Sequence, residues 1–196
     1  MNQQDKLAHL RKLGDESAIL RRATVEKLGE KILETADLLS GVIGAGGKIM
    51  LAGNGGSLAL ATHFASELVV RLSSERNRQA LPAVTIGVNP ALVSAASNDF
   101  GWEHVFARQV EALGNKGDML MLISTSGNAA NLIRAAQTAR EKRILTAALL
   151  GATGGGLKGA VERSLIVPHT SPQRVHEEHL FIIHLLAEHI ERDLFV

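Results

Sequence analysis

LAGNGGSLALATHFASELVVR, residues 51–71, holds the chain's first legible chemistry. An apolar run, Lys48-Ile49-Met50-Leu51-Ala52, ends in Gly53-Asn54-Gly55-Gly56-Ser57, and a helical pattern starts at once. Glycines between a strand and a helix let backbone N–H groups close on an anion. The helix's free N–H groups and positive dipole end then hold it. His63 and Glu67 follow four residues apart, on one face of that helix. The turn itself matches neither common phosphate fingerprint: there is no GK[ST], and Leu58 stands where a dinucleotide motif needs glycine. By spacing alone, His63 and Glu67 read first as a salt-bridged pair on a solvated face, with a metal pair or an acid/base pair as the sharper alternatives.

Outward from this stretch, the chain alternates strands and helices. Strands are expected at 49–52, within 81–87, and at 119–123, 144–150 and 164–167. Helices are expected at 57–72, 90–97, 129–140 and 173–194. Short, almost wholly apolar strands separated by helices indicate a parallel sheet buried on both faces. Right-handed crossovers place every strand-to-helix loop on one rim, where open α/β sheets bind their ligands. The expected fold is therefore α/β, a three-layer sandwich around a five-stranded parallel sheet of flavodoxin type. The domain is single, with an α/β core over 47–196 and a helical extension over 1–46. In that extension a short helix over 3–14 is expected to stop at Gly14. A long one over 16–44 carries the stripe Val25, Leu28, Ile32, Ala36, Leu39 and Ile43. The stripe's partner is either the chain's own domain or a neighbouring subunit's helix. Its length favours the latter.

A second loop on the same rim is more pointed. Ser124-Thr125-Ser126-Gly127-Asn128 ends the third strand, with three adjacent hydroxyls ahead of a helix. Capping needs one such residue, so three in a row point to phosphate. The last helix carries His176, His179, His184 and His189 with Glu177, Glu178 and Glu188. His184 lies within an apolar run and is expected to be buried, hydrogen-bonded or metal-bound, whereas His189 and Glu188 read as solvated surface. Imidazoles with a carboxylate form a zinc-type ligand set.

Composition narrows the function classes. Twenty-one basic against 20 acidic residues give a net charge of +1, and aromatics make up 3%, with no Tyr. Neither a nucleic-acid footprint nor a stacking platform follows from that. The chain has no Cys, so disulfides and thiolate metal sites are excluded, which suits a reducing cytosol. The polar start, MNQQDKLAHLRKLGDE, lacks a signal peptide's apolar core, and no apolar run is long enough to span a membrane. A cytoplasmic protein is expected.

Taken together, several motifs resemble one family. Gly53–Ser57, His63-Phe64-Ala65-Ser66-Glu67-Leu68 with Arg71, Ser97-Asn98-Asp99-Phe100-Gly101, Ile123–Asn128 and Gln173-Arg174-Val175-His176-Glu177-Glu178-His179 with His184 are similar to the sugar isomerase (SIS) fold. Within it they resemble the bacterial phosphoheptose isomerases, over roughly residues 47–195. The resemblance implies interconversion of sedoheptulose 7-phosphate and D-glycero-D-manno-heptose 7-phosphate, supplying heptose for lipopolysaccharide core or related glycans. It also implies a homotetramer with active sites between subunits. It assigns Asn54, Gly55, Gly56, Ser57, Arg71, Asn98 and Asp99 to the sugar, and Ser124, Thr125, Ser126 and Asn128 to the phosphate. His63, Glu67, His176 and His184 fall at its zinc positions, one Zn2+ per subunit, with His176 also facing substrate. Glu67 is the expected base and His184 the acid.

Two departures stand out. The family usually has Gln at His176, and a phosphate-binding hydroxyl is replaced by Ala129. On one straight helix His176 and His184 lie about 12 Å apart along the axis and about 80° apart around it. Either the helix starts after His176, or the two serve different subunits, or one is not a ligand. Two further readings stand beside the isomerase. One is a non-catalytic SIS-fold protein that binds the replication initiator, from which the retained Glu67 distinguishes this chain. The other is an SIS enzyme for a different phosphosugar.

Overall fold

The computed structural model describes residues 2–195. Five strands form one wholly parallel sheet in the order β2-β1-β3-β4-β5: β1 Ile49–Gly53, β2 Ala83–Thr85, β3 Met119–Ser124, β4 Leu145–Leu150 and β5 Arg163–Ile166. Every residue of β1 and β3 is buried, which explains their apolar runs, Ile49–Ala52 and Met119–Ile123. Alternate residues feed two cores. Ile49, Leu51, Met119, Met121 and Ile123 pack beneath α1 (Gln3–Gly44), α2 (Gly56–Val69) and α7 (Pro172–Phe195). Met50, Ala52, Leu120 and Leu122 pack beneath α3 (Pro90–Phe100), α4 (Ala107–Leu113), α5 (Ala130–Glu141) and α6 (Leu157–Ala160). The expected three-layer α/β sandwich is the observed one.

The amino-terminal helix departs from expectation twice. Gly14 does not stop it: α1 runs 42 residues from Asn2, whose side chain accepts from the Asp5 amide while Asp5 accepts from the Asn2 amide. A glycine in an exposed helix costs only about 1 kcal/mol, and nothing surrounds Gly14 to enforce a turn. The stripe, moreover, is largely covered by the chain itself. Leu28, Ile32, Ala36 and Leu39 are buried in the core shared with Ile182, Leu186 and Ile190 of α7, and Val25 is left exposed. One apolar stripe on each of two helices buries both, so the chain's own α7 takes the place expected of a neighbour. The earlier part of α1 is different: Leu7, Leu10 and Ile19 are exposed.

Between α3 and β3 lie elements that were not anticipated, a 3-10 turn at Trp102–His104 and the short α4. The sheet order decides where a site can form. β2 and β3 lie on opposite sides of β1, so successive crossovers diverge between β1 and β3. The loops after those two strands flank the resulting crevice.

Candidate active site

Both loops reach that crevice, and a reciprocal amide pair joins them. Asn54 Nδ2 donates to Asn131 Oδ1 at 3.0 Å, and Asn131 Nδ2 donates back to Asn54 Oδ1 at 2.9 Å. Asn131 is buried in the first turn of α5, so each amide satisfies the other where water is scarce. In the first loop Gly55 has φ +53, a left-handed conformation that favours glycine. Gly56 is glycine for a different reason: a Cβ there would stand 2.9 Å from Cε1 of His176. The imidazole lies over the turn and meets Ser57 Oγ through Nε2 at 3.0 Å. Burial pushes the His176 pKa below its ordinary value, which favours the neutral ring.

The second loop is wound by its own hydroxyls. Ser124 Oγ accepts from the Gly127 amide at 3.0 Å, Ser126 Oγ accepts from the Asn128 amide at 3.3 Å, and Asn128 Oδ1 accepts from the Gly156 amide at 3.0 Å. Ser124 is buried, and Ser126 is exposed. Ala129 is the N-cap of α5 and offers no side-chain cap. The free amides of that first turn are therefore left for an incoming anion.

Farther along α2 and α7 the imidazole–carboxylate group assembles. His63 Nε2 lies 3.0 Å from His184 Nε2 and 3.4 Å from Glu67 Oε1. One ligand atom from each of the three lies within 4.8 Å of the others. Glu67 Oε2 is buried without a hydrogen-bond partner. Two ring nitrogens at that separation share one proton or present two lone pairs to one cation, and an orphaned carboxylate oxygen beside them suits a cation. The donor set fits a divalent metal.

Comparison with known proteins shows the family and the fold. The SIS domain model matches residues 14–151. A phosphoheptose isomerase of Pelodictyon phaeoclathratiforme is 43% identical over 91% of this chain and 85% of its own. One from Roseiflexus is 42% identical over 90% and 88%. Among solved structures, the phosphoheptose isomerase of Francisella tularensis matches with a TM-score of 0.91 and 31% identity, covering 98% of this chain and all of that one. The corresponding protein GmhA of Neisseria gonorrhoeae gives 0.88 and 34%, over 97% and 100%. This chain belongs to the phosphoheptose isomerase family.

The family's remaining expected site residues are scattered in this single chain. Asn98 donates to Asp99 at 2.8 Å, and both are exposed at the end of α3, as is Arg71 just after α2. α7 starts at Pro172, so His176 is already helical, and the possibility that the helix begins after it is removed. His176 meets Ser57, while His184 is part-exposed against His63 rather than enclosed by its apolar neighbours. Sequence reasoning assigned nothing to four buried polar residues. Besides Asn131, these are Glu178 (bonded to Arg21 at 2.8 Å), His179 (bonded to the Leu150 carbonyl at 3.1 Å) and Glu191. For the three on α7 the available signal was polar residues at apolar spacing.

Proposed function

We infer that this sugar-phosphate isomerase interconverts sedoheptulose 7-phosphate and D-glycero-D-manno-heptose 7-phosphate, and that it does so in the cytoplasm to supply heptose for lipopolysaccharide or related glycans. The observation that carries the reading is the Glu67 carboxylate set against two imidazoles, on the helix that opens from the crevice turn.

The α5 amides with Ser124, Thr125, Ser126 and Asn128 take the phosphate, and Asn54, Gly55, Gly56 and Ser57 line the sugar, with Arg71, Asn98, Asp99 and His176 completing its surroundings. Glu67 removes a proton from C1 of the ketose, giving an enediolate, and returns it to C2. His184 donates a proton to O2 as the carbonyl electrons move there and takes one back from O1 as the aldehyde forms. No atom is gained or lost. When bound, a metal would be held by His63, Glu67 and His184, one zinc per subunit, and would supply Lewis-acid polarisation of a substrate oxygen, with Glu67 and His184 moving protons through the carboxylate oxygen and ring nitrogen that the metal leaves free. His176 remains a candidate fourth ligand, its distance from His184 along α7 weighing against a shared ion. The exposed apolar residues of early α1 support a homotetramer.

Ala129, which removes a hydroxyl from the phosphate loop, favours a second reading in which a different phosphosugar is preferred. Dialysis against a chelator followed by metal analysis tests the cofactor. About one zinc per chain should be lost together with turnover, and full turnover in metal-free protein would contradict the assignment.

A further inference from the structure

Three cross-contacts join α2 and α7 in sequence: Ser57 to His176, His63 to His184, and last the end of α2 to Glu191. The last is made by a residue outside both helices. Arg78 follows α2 by nine residues, and its side chain is 1% exposed, that of Glu191 5%. Its Nε donates to Glu191 Oε1 at 2.8 Å. Its Nη2 donates to the carbonyl of Glu67 at 2.7 Å, and Nη1 donates to the carbonyls of Leu68 and Gln79 at 2.8 and 2.9 Å. The same Glu191 oxygen accepts from the Leu72 amide at 3.1 Å, and Arg76 Nη1 donates to the Glu191 carbonyl at 2.9 Å.

α2 has no basic residue in its last turn. The carbonyls of Glu67 and Leu68 are among the four that every helix leaves without an internal partner. Arg78 supplies both the hydrogen bonds and the positive charge that the helix's negative end favours. Glu191 lies two turns beyond His184 on α7, so one buried guanidinium grips both helices that furnish the imidazole–carboxylate group. A slide or rotation of α2 against α7 would change the 3.0 Å between His63 and His184 and would stretch this grip as well.

We propose that Arg78 and Glu191 are positioning residues for the reaction, an ionic clamp that fixes Glu67 and His63 against His184. The clamp does not touch the Ser124–Asn128 loop, so it governs chemistry and metal affinity while leaving phosphate capture alone. The assignment rests on the isomerase reading, and wild-type turnover tests that reading separately.

The experiment uses full-length Arg78→Lys, which keeps the charge but loses the fork, and Glu191→Gln, which keeps the shape but loses the charge. Lys48→Met is the control: it removes another ion pair, the half-buried Lys48–Asp118 at 2.6 Å, ahead of β1 and β3 on the opposite rim. For each folded protein kcat and KM on sedoheptulose 7-phosphate are measured, and Zn2+ affinity is read by calorimetric titration. In the clamp variants kcat and Zn2+ affinity should each fall about 10- to 100-fold, with KM within about twofold of wild type. Lys48→Met should lower melting temperature and leave kcat and Zn2+ affinity as they were. Wild-type kcat and Zn2+ affinity in both clamp variants would overturn the proposal, as would an equal loss in Lys48→Met or a rise in KM matching the fall in kcat. Failure of both clamp variants to fold would also overturn it, since the pair would then be structural only.

Discussion

Glu67 occupies a position where one atom's loss should be visible. Glu67→Gln keeps size and hydrogen-bonding capacity but removes the base, so kcat should fall by about 10²- to 10⁴-fold, with an unaltered circular dichroism spectrum. Rate retention would remove Glu67 from the proton transfer. On the proposed reading Ser126 acts on the other end of the substrate. A hydrogen bond to a charged group contributes about 1.5–3 kcal/mol, so Ser126→Ala should raise KM at least about tenfold with kcat within about twofold. An unchanged KM would deny it the phosphate. His179 gives a pH signature. Burial pushes its pKa down from 6.5 to about 4, against the raising effect of its bond to the Leu150 carbonyl; nearby His176 adds to the lowering. Between those values the unfolded chain binds a proton that the folded one refuses, so stability falls as pH drops from 6.5 towards 4, by about 3 kcal/mol in all. His179→Gln should flatten that slope in urea unfolding at pH 7 and pH 4.5; an identical slope would contradict it.

At the scale of elements, periodicity was a good guide wherever the core enforces it. The five strands and the helices that cover them lie where apolar runs and amphipathic stripes put them, because burial on two faces or one leaves that mark. Local punctuation misled at Gly14, where no tertiary contact supports a break, and the seven-residue α4 was too short to announce itself. In the site, the residues on single elements were legible: Glu67 one turn after His63, and the hydroxyls at the end of β3. Pairings across the sequence were not. Asn54 with Asn131, Ser57 with His176, and Arg78 with Glu191 are 77, 119 and 113 residues apart, and no local pattern encodes a partner at that distance. The stripe on α1 shows the same limit, since periodicity reveals a buried face without naming what covers it. Its exposed part makes a prediction at this scale. If the proposed tetramer uses this face, Leu10→Asp with Ile19→Asp should reduce the mass in sedimentation velocity while α7 keeps the domain folded; an unchanged mass would contradict that use of the face.

For the whole molecule, the order β2-β1-β3-β4-β5 is what turns two separate loops into one crevice. α2 then runs from that crevice along a face shared with α7, so on the proposed reading the phosphate end and the reacting end of a sugar are addressed by different elements. Among the described residues no helix is long and apolar enough to cross a membrane, and the chain has near-neutral net charge, which suits capture by directed hydrogen bonds more than by bulk field. On the proposed reading, the crevice and the imidazole–carboxylate group together isomerise a seven-carbon ketose phosphate. Aldose formation from sedoheptulose 7-phosphate, followed in D2O with wild type and Glu67→Gln side by side, tests it most directly. Aldose should form with the wild type, carrying deuterium at C2 to the extent that the proton held by Glu67 exchanges with solvent before it is returned, and essentially none should form with the variant. Absence of aldose with the wild type, or equal rates from the two proteins, would contradict it.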